Sequence, residues 1–231
     1  MRLLLNVFYM FSFDFKTMGL TFFVPILAFF FTTLFLLISK GHPIETDIII
    51  IQGLFIPFTC WVLMYRLNEL YEEGAQETLI PYYSRTFVYD TLRYLTINII
   101  CILLLSSLLV IKFGIESFSI ISLIHFFLLT LFFMFLGTAL LVLIRNIESS
   151  LTIIFIYSII EVVTLGEFMP WPHIFIFDSP SFNIFIIIKL ITLFFSIIFL
   201  FFITSIFLRK IDRGIINGPS RLKLLFTRGH N

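Results

Sequence analysis

Three ionisable side chains, His125, Glu161 and Lys189, lie inside long apolar runs of the sequence. Such groups are costly in hydrocarbon, and in membrane proteins they usually face a bundle interior or a water-filled cavity. Glu161 lies five residues before Gly166, and Lys189 lies six residues after Asn183. At about 1.5 Å per helical residue, both side chains are predicted at a similar depth. We predict that Glu161 and Lys189 approach each other or share a polar cavity, with His125 at comparable depth, as part of a substrate pathway.

A structural role is the simpler interpretation for two of these residues taken alone. Lys189 is close enough to the end of its apolar run for its ammonium group to extend to the lipid headgroups. For His125, a hydrogen bond within the helix bundle is the simpler explanation. Glu161 has a shorter side chain than Lys189, so a partner or a wet cavity is the better interpretation for the carboxylate.

A second acidic pattern follows the second apolar run. Glu69, Glu73 and Glu77 recur every four residues, opposite apolar residues at helical spacing. Because like charges at this spacing destabilise an isolated helix, the pattern favours a basic partner or a neighbouring helix on that face. Gly74 costs about 1 kcal/mol relative to alanine in a helix, which indicates a bend or close approach by another protein. We predict a helix over Arg66–Leu79 at the cytoplasmic surface.

Several kinds of chemistry have no support in the sequence. The four histidines are isolated and form no pair of metal ligands at helical spacing. Cys60 and Cys101 lie in apolar runs, where cysteine behaves as a small hydrophobic residue. The pair Glu72-Glu73 is similar to a motif of prenyl-protein-type proteases, but Glu77 stands where that motif requires arginine. The net charge of +1 provides no basic surface for nucleic acid.

The composition identifies the elements that must position these residues. Of the 231 residues, 60% are apolar and only 13% are charged, whereas soluble domains have about 45–50% and about 25%. A membrane-spanning helix needs roughly 20 mostly apolar residues. The sequence therefore predicts one all-α membrane domain over residues 1–231, with six transmembrane helices. Their predicted ranges are 18–38, 48–65, 94–111, 118–144, 150–165 and 184–208.

The distribution of lysine and arginine predicts the orientation. If both termini are cytoplasmic, twelve of the fifteen basic residues fall in inner segments. Only Lys40, Lys112 and Lys189 remain for the outer side or just beneath it. This asymmetry predicts a multi-pass protein of the cell membrane with both termini in the cytoplasm.

The remaining segments are predicted from their composition. Residues 1–17 are predicted as an interfacial helix, with the apolar side chains of Leu3–Phe15 in lipid and the charged ones toward water. Residues 66–85 form a cytoplasmic loop, and residues 209–231 form a basic cytoplasmic tail. Residues 166–182 contain Pro170 and Pro172, which remove backbone donors, so this stretch is predicted as a partly re-entrant outer segment.

The cytoplasmic loop contains a family pattern. The sequence Tyr71-Glu72-Glu73-Gly74-Ala75-Gln76-Glu77-Thr78-Leu79, followed by Pro81 and Tyr83-Ser84-Arg85, resembles the first cytoplasmic loop of ABC-2 type export permeases. In that family, an acidic–glycine–x–x–glutamate–x–leucine segment precedes a proline and a serine–arginine pair. Ala75 stands where threonine or serine is commoner. The predicted order of the six spans, the interfacial helix and the irregular outer segment also resembles the layout of that family.

The resemblance implies a permease of the type V class of ABC exporters, with no cofactor of its own. Such permeases work as two six-span subunits, identical or paralogous, with two ATPase subunits that bind ATP and magnesium. This sequence contains no phosphate-binding loop, so a separate ATPase is expected to drive transport. The residues expected to couple to it are Glu69, Glu73, Gly74, Glu77 and Arg85. The cargo implied by the family is a peptide antibiotic, a drug or a lipid-like molecule.

Two other classes stay open at this stage. One is an intramembrane enzyme of the protease or lipid-transferase type. The other is an ATP-independent channel or scaffold subunit. Dependence on a partner ATPase separates the channel or scaffold class from a permease.

Overall fold

The computed structural model describes residues 14–39, 41–71, 76–166, 173–177 and 184–212. Across these residues every regular element is a helix, and six helices are long and apolar enough to cross a membrane. The chain is therefore an all-helical, multi-pass membrane protein. We number the six helices in chain order: α1 (Asp14–Ile38), α2 (Ile44–Tyr71), α3 (Gln76–Phe113), α4 (Ile120–Ile144), α5 (Ile147–Thr164) and α6 (Ile184–Asp212).

The last three helices lie where hydropathy predicts them, with bounds that differ by no more than four residues. Helix α1 begins four residues before the predicted span, at Asp14. The rest of the predicted interfacial helix, residues 1–13, lies outside the described part of the chain. So does most of the predicted basic tail, from residue 213 onward.

The largest difference from the prediction concerns helix α3. It begins at Gln76, whereas the predicted span begins at residue 94. The predicted helix over Arg66–Leu79 is therefore not a separate element, because its first part completes α2 and its last residues open α3. The physical reason is a buried face at helical spacing that continues α3 beyond the apolar run: Tyr83, Phe87, Asp90 and Tyr94.

Helix α2 departs from regular α-helical geometry near its middle. A π-helical turn over Ile51–Phe55 is followed by a 3-10 turn over Ile56–Cys60. Pro57 lies in the second turn and has no backbone N–H to donate. At this distorted part of α2, the Asn98 amide of α3 donates to the Thr59 carbonyl at 3.2 Å. Interhelical hydrogen bonds of this kind help to satisfy irregular backbone at membrane depth.

Helix α4 lies at the centre of the bundle and packs against α2, α3, α5 and α6. Gly137 lets α4 approach α2 closely, because a Cβ there would lie 2.6 Å from Met64 Sδ and 2.8 Å from Cys60 Cβ. By contrast, α1 and α6 are peripheral: only 17% and 11% of their most apolar windows are buried. Their exposed side chains are mainly phenylalanine, leucine and isoleucine, which suits contact with lipid or another apolar surface.

Two groups of contacts define the ends of the bundle. Asp14, Arg66 and Arg93 meet at one end, which we call the Arg66 end. Asp47 and Lys112 meet at the other, which we call the Lys112 end. The described residues 173–177, which lie between α5 and α6 in the sequence, are at the Lys112 end.

Candidate functional site

A short non-helical segment, residues 173–177, enters the helix bundle near the Lys112 end. Ile174, Phe175 and Ile176 are buried, and the Phe175 side chain has no exposed surface. A non-helical backbone at membrane depth is stable only when protein groups or water satisfy its N–H and C=O groups. The buried N–H and C=O groups of this segment therefore need hydrogen-bond partners within the protein.

Side chains of two helices accept hydrogen bonds from the three central N–H groups. Oε1 of Glu161, on α5, accepts from the N–H of Ile174 at 2.7 Å and from that of Phe175 at 2.8 Å. Oε1 of Gln52, in the π-helical turn of α2, accepts from the N–H of Ile176 at 3.0 Å. All three donors are thus satisfied by side-chain oxygens.

Side chains of three helices bind the three matching carbonyl groups. His125 Nε2, on α4, lies 2.7 Å from the Ile174 carbonyl oxygen, which requires this ring nitrogen to carry the proton. Lys189 Nζ, on α6, donates to the Phe175 carbonyl. Gln52 Nε2 donates to the Ile176 carbonyl at 2.9 Å. Four side chains from four helices therefore satisfy all six backbone polar groups of residues 174–176, and we call these four residues the polar seat.

Close helix packing brings the two acceptors of the polar seat together. Gly53 follows Gln52, and a Cβ on Gly53 would lie 2.7 Å from Val162 Cγ2, next to Glu161. Helices α2 and α5 thus approach each other closely beside the segment. The Tyr157 hydroxyl, one turn before Glu161 on α5, also interacts with this carboxyl group.

A sharp reversal at the end of α5 leads toward the segment. Leu165 and Gly166 both have positive φ, at 49° and 80°, a left-handed conformation that commonly ends helices. A Cβ on Gly166 would lie 3.0 Å from His173 Nδ1, so the glycine leaves room for the start of the segment. His173 Nδ1 is buried and has no hydrogen-bond partner.

An apolar wall and a small cavity flank the segment. The rings of Phe175 and Phe133 lie 6.1 Å apart between their centroids. On the α6 side, a cavity of about 190 Å³ lies between the segment and the helix. The cavity is lined by His173, Ile174, Phe185, Ile188, Lys189, Thr192, Leu193 and Ser196. Lys189 thus contributes to both the polar seat and the cavity.

The structure brings the three ionisable residues of the predicted pathway cluster to one place. His125, Glu161 and Lys189 do not form a simple acid–base pair but meet on the backbone of residues 174 and 175. Gln52 was not predicted as a site residue, because it is uncharged and lies within an apolar run. Its signal is weak but present, since it is a polar residue beside Gly53 in a helix that contains Pro57.

A second polar cluster lies at the Arg66 end. Asp14 is fully buried and accepts hydrogen bonds from Arg66, from Arg93 at 2.6 Å and from the Tyr94 hydroxyl at 2.7 Å. Asp90 lies 3.8 Å from Arg66 and 3.6 Å from Arg93. This result corrects the prediction for Asp14, which was expected to point to water, whereas Lys16 is exposed as predicted. The buried guanidinium groups provide the physical reason, because they need a carboxylate partner.

The residues predicted to couple to an ATPase are placed only in part. Glu69 lies in a 3-10 turn at the end of α2 and accepts a hydrogen bond from the Tyr83 hydroxyl at 2.9 Å. Burial raises the pKa of Tyr83, so the phenol stays a donor at neutral pH. Glu73 and Gly74 lie outside the described residues. Residues Glu77 and Arg85 belong to α3, but their side chains lie outside the described part of the structure.

A third cluster ties α1, α2 and α3 together at the Lys112 end. The Lys112 ammonium group donates to Asp47 at 2.6 Å, to the Ser39 hydroxyl at 2.8 Å and to the Leu36 carbonyl at 3.0 Å. The Ser39 hydroxyl in turn donates to Asp47 at 2.8 Å. The same three helices are thus joined at both ends by polar contacts around a buried carboxylate, Asp14 at one end and Asp47 at the other.

Among the described residues, no group of three or more histidine, cysteine, aspartate or glutamate side chains is arranged to hold a metal ion. No protein-family model, curated protein or solved structure matches the chain. The functional proposal therefore rests on the contacts and charges of the polar seat and of the Arg66 end.

Proposed function

We propose that this chain is the permease subunit of an ATP-driven ABC-2 type exporter. It forms the substrate pathway in the cell membrane, with both termini and the Arg66 end in the cytoplasm. The cargo is a peptide antibiotic, a drug or a lipid-like molecule. Two copies of a separate ATPase subunit, each with ATP and magnesium, supply the work, and a second permease subunit completes the conduit.

The observation that carries the proposal is the polar seat. Four polar side chains from α2, α4, α5 and α6 point into the bundle at one depth. Intramembrane groups of this kind are rare because of their cost in hydrocarbon, and they commonly mark substrate or ion pathways. A short non-helical segment occupies the seat, as expected for the outer part of a pathway that is closed in this conformation.

The Arg66 end supports a mechanism for receiving work from an ATPase. Asp14 joins α1 to Arg66 of α2 and to Arg93 of α3 through buried ion pairs. Glu69 and Tyr83 join α2 and α3 nearer to the loop. A partner that moves the loop between α2 and α3 would therefore move three spans together, because buried and hydrogen-bonded charge pairs resist separation.

Co-purification with a candidate ATPase tests this proposal. The permease and the ATPase encoded beside it are co-expressed, and the ATPase bound to each permease variant is quantified. We expect Glu73→Lys and Gly74→Leu to reduce ATPase binding or substrate-stimulated hydrolysis. Removing one charge of a buried interfacial pair typically costs about 2–5 kcal/mol, and a leucine at position 74 would obstruct close approach of the partner. Membrane insertion should be unchanged.

Glu116→Lys is the matched control, because Glu116 is exposed in the loop between α3 and α4 at the Lys112 end. It makes the same charge change on the side predicted to face outward. Unchanged binding and hydrolysis in the Glu73 and Gly74 variants would remove the loop as the coupling element. Substrate flux that proceeds without any ATPase would instead favour a channel.

A further inference from the structure

The polar seat recognises a main chain rather than particular side chains. Each of its six hydrogen bonds goes to a backbone N–H or C=O of residues 174–176. Gln52 both donates to and accepts from Ile176, which is the pairing that a neighbouring β-strand would make. Proteins that bind extended peptides use the same pattern, in which main-chain hydrogen bonds provide affinity and pockets provide specificity.

We propose that the polar seat is a binding site for an extended peptide main chain, and that residues 174–176 are its resident occupant. An exported peptide displaces these residues and takes over their hydrogen bonds. This inference rests on the proposed export function for the origin of the peptide, but peptide binding itself needs neither ATP nor a partner subunit.

Exchange is favoured only for a ligand that replaces the lost hydrogen bonds. If residues 174–176 leave, the side chains of Gln52, His125, Glu161 and Lys189 lose partners inside the bundle, which is costly for buried polar groups. A purely apolar drug or a lipid tail supplies no replacement. A peptide main chain offers the same three N–H and three C=O groups at the same spacing, so the number of hydrogen bonds is conserved.

The surroundings specify the ligand further. The position taken by Phe175 is fully buried against Phe133, so an apolar or aromatic side chain is preferred at the centre of the peptide. The cavity of about 190 Å³ beside the segment provides space for an incoming side chain next to Lys189. His173 Nδ1 offers one more polar group there, since it has no hydrogen-bond partner. Proline or N-methylated residues should be excluded at all three central positions, because each N–H is used.

The test measures binding of a synthetic peptide to the purified chain in lipid nanodiscs. The probe is acetyl-His-Ile-Phe-Ile-Phe-amide, which copies residues 173–177. Its matched control carries N-methyl groups on the three central residues, so it is at least as apolar but lacks the three donors. We expect saturable binding of the probe and an affinity for the control weaker by about tenfold or more.

Displacement of the resident segment is followed in the same samples. Phe175→Cys, in a chain whose two native cysteines are replaced by alanine, reports exposure of the segment to a maleimide. We expect the probe to accelerate labelling at this position and the N-methylated control to leave the rate unchanged. Gln52→Met removes two of the six hydrogen bonds that hold the resident segment, so it should raise the labelling rate measured without the probe.

Equal affinity for the probe and its N-methylated control would overturn the proposal, because it indicates partition into an apolar surface. Absence of saturable binding to the unmodified chain would overturn it as well and leave the seat a fixed structural clamp. Both outcomes are independent of the ATPase experiment. Peptide binding in nanodiscs combined with no ATPase association in the co-purification experiment would refute the exporter but not this inference. ATPase coupling without peptide binding would refute only this inference.

Discussion

Replacing Asp14 with asparagine should be one of the most destabilising single changes at the Arg66 end. The Asp14 carboxylate is fully buried and accepts hydrogen bonds from Arg66, Arg93 and Tyr94. Asparagine has nearly the same shape, so the substitution removes the charge without leaving a cavity. Two buried guanidinium groups would then share one remaining carboxylate, that of Asp90.

The size of the expected stability loss depends on how much of the Asp14 interaction with the two arginines Asp90 can replace. We take an effective dielectric constant of about 20 and leave out the cost of desolvation. The Coulomb attraction is then about 6 kcal/mol for Arg93 and Asp14, which are 2.6 Å apart. It is about 5 kcal/mol for Arg93 and Asp90, which are 3.6 Å apart. Removing one partner of a buried pair typically costs about 3–5 kcal/mol. Because Asp90 retains much of the attraction, we expect a loss of about 3 kcal/mol for Asp14→Asn. For Asp90→Asn we expect about 1 kcal/mol, since its contacts with Arg66 and Arg93, at 3.8 Å and 3.6 Å, are longer than those of Asp14.

The assay is unfolding in mixed detergent micelles by titration with sodium dodecyl sulfate, followed by tryptophan fluorescence. Glu116→Gln, an exposed carboxylate with the same change, is the control and should alter stability by less than about 0.5 kcal/mol. Equal effects of Asp14→Asn and Asp90→Asn, or no effect of either, would refute the reasoning that Asp14 is the central acceptor of this cluster.

Two further predictions use the same titration. Gly137→Ala should destabilise the bundle by about 1–3 kcal/mol, because the new Cβ would lie 2.8 Å from Cys60 Cβ and force α4 away from α2; an unchanged midpoint would show that the helices are not closely packed there. Lys112→Met should cost about 3 kcal/mol by leaving the Asp47 carboxylate without its cation. The double variant Lys112→Met/Asp47→Asn should be less destabilised than the sum of the single variants, and simple additivity would argue against the ion pair.

Hydropathy alone was sufficient to locate most of the transmembrane helices. For α6 the predicted start, residue 184, agrees with the structure, because a long apolar run has a well-defined start. Hydropathy did not predict the first part of α3, where Arg85, Asp90 and Arg93 interrupt the apolar pattern. Asp90 and the guanidinium group of Arg93 are nevertheless buried in contact with other charges. Hydropathy treats each residue separately, so it cannot detect charges that neutralise one another across helices.

The candidate site was predictable only in part for a related reason. His125, Glu161 and Lys189 are conspicuous as ionisable residues in apolar runs, and helical rise places them at similar depth. Their common partner is the backbone of residues 174 and 175, and backbone groups have no sequence signal. Gln52 was not predicted because an uncharged amide in a long apolar run gives no clear sign of a functional role. Its role is visible only from its hydrogen bonds to the backbone of residue 176.

The central claim is that this chain forms the membrane part of an ATP-driven exporter. The most direct measurement is isolation of the chain from its native membrane under mild detergent, with identification and counting of the subunits that remain bound. The account predicts two permease subunits and two subunits of one ATPase, and ATP hydrolysis that is lost with Gly74→Leu. Isolation of the folded chain without any ATP-hydrolysing subunit, from membranes that still export the cargo, would contradict it.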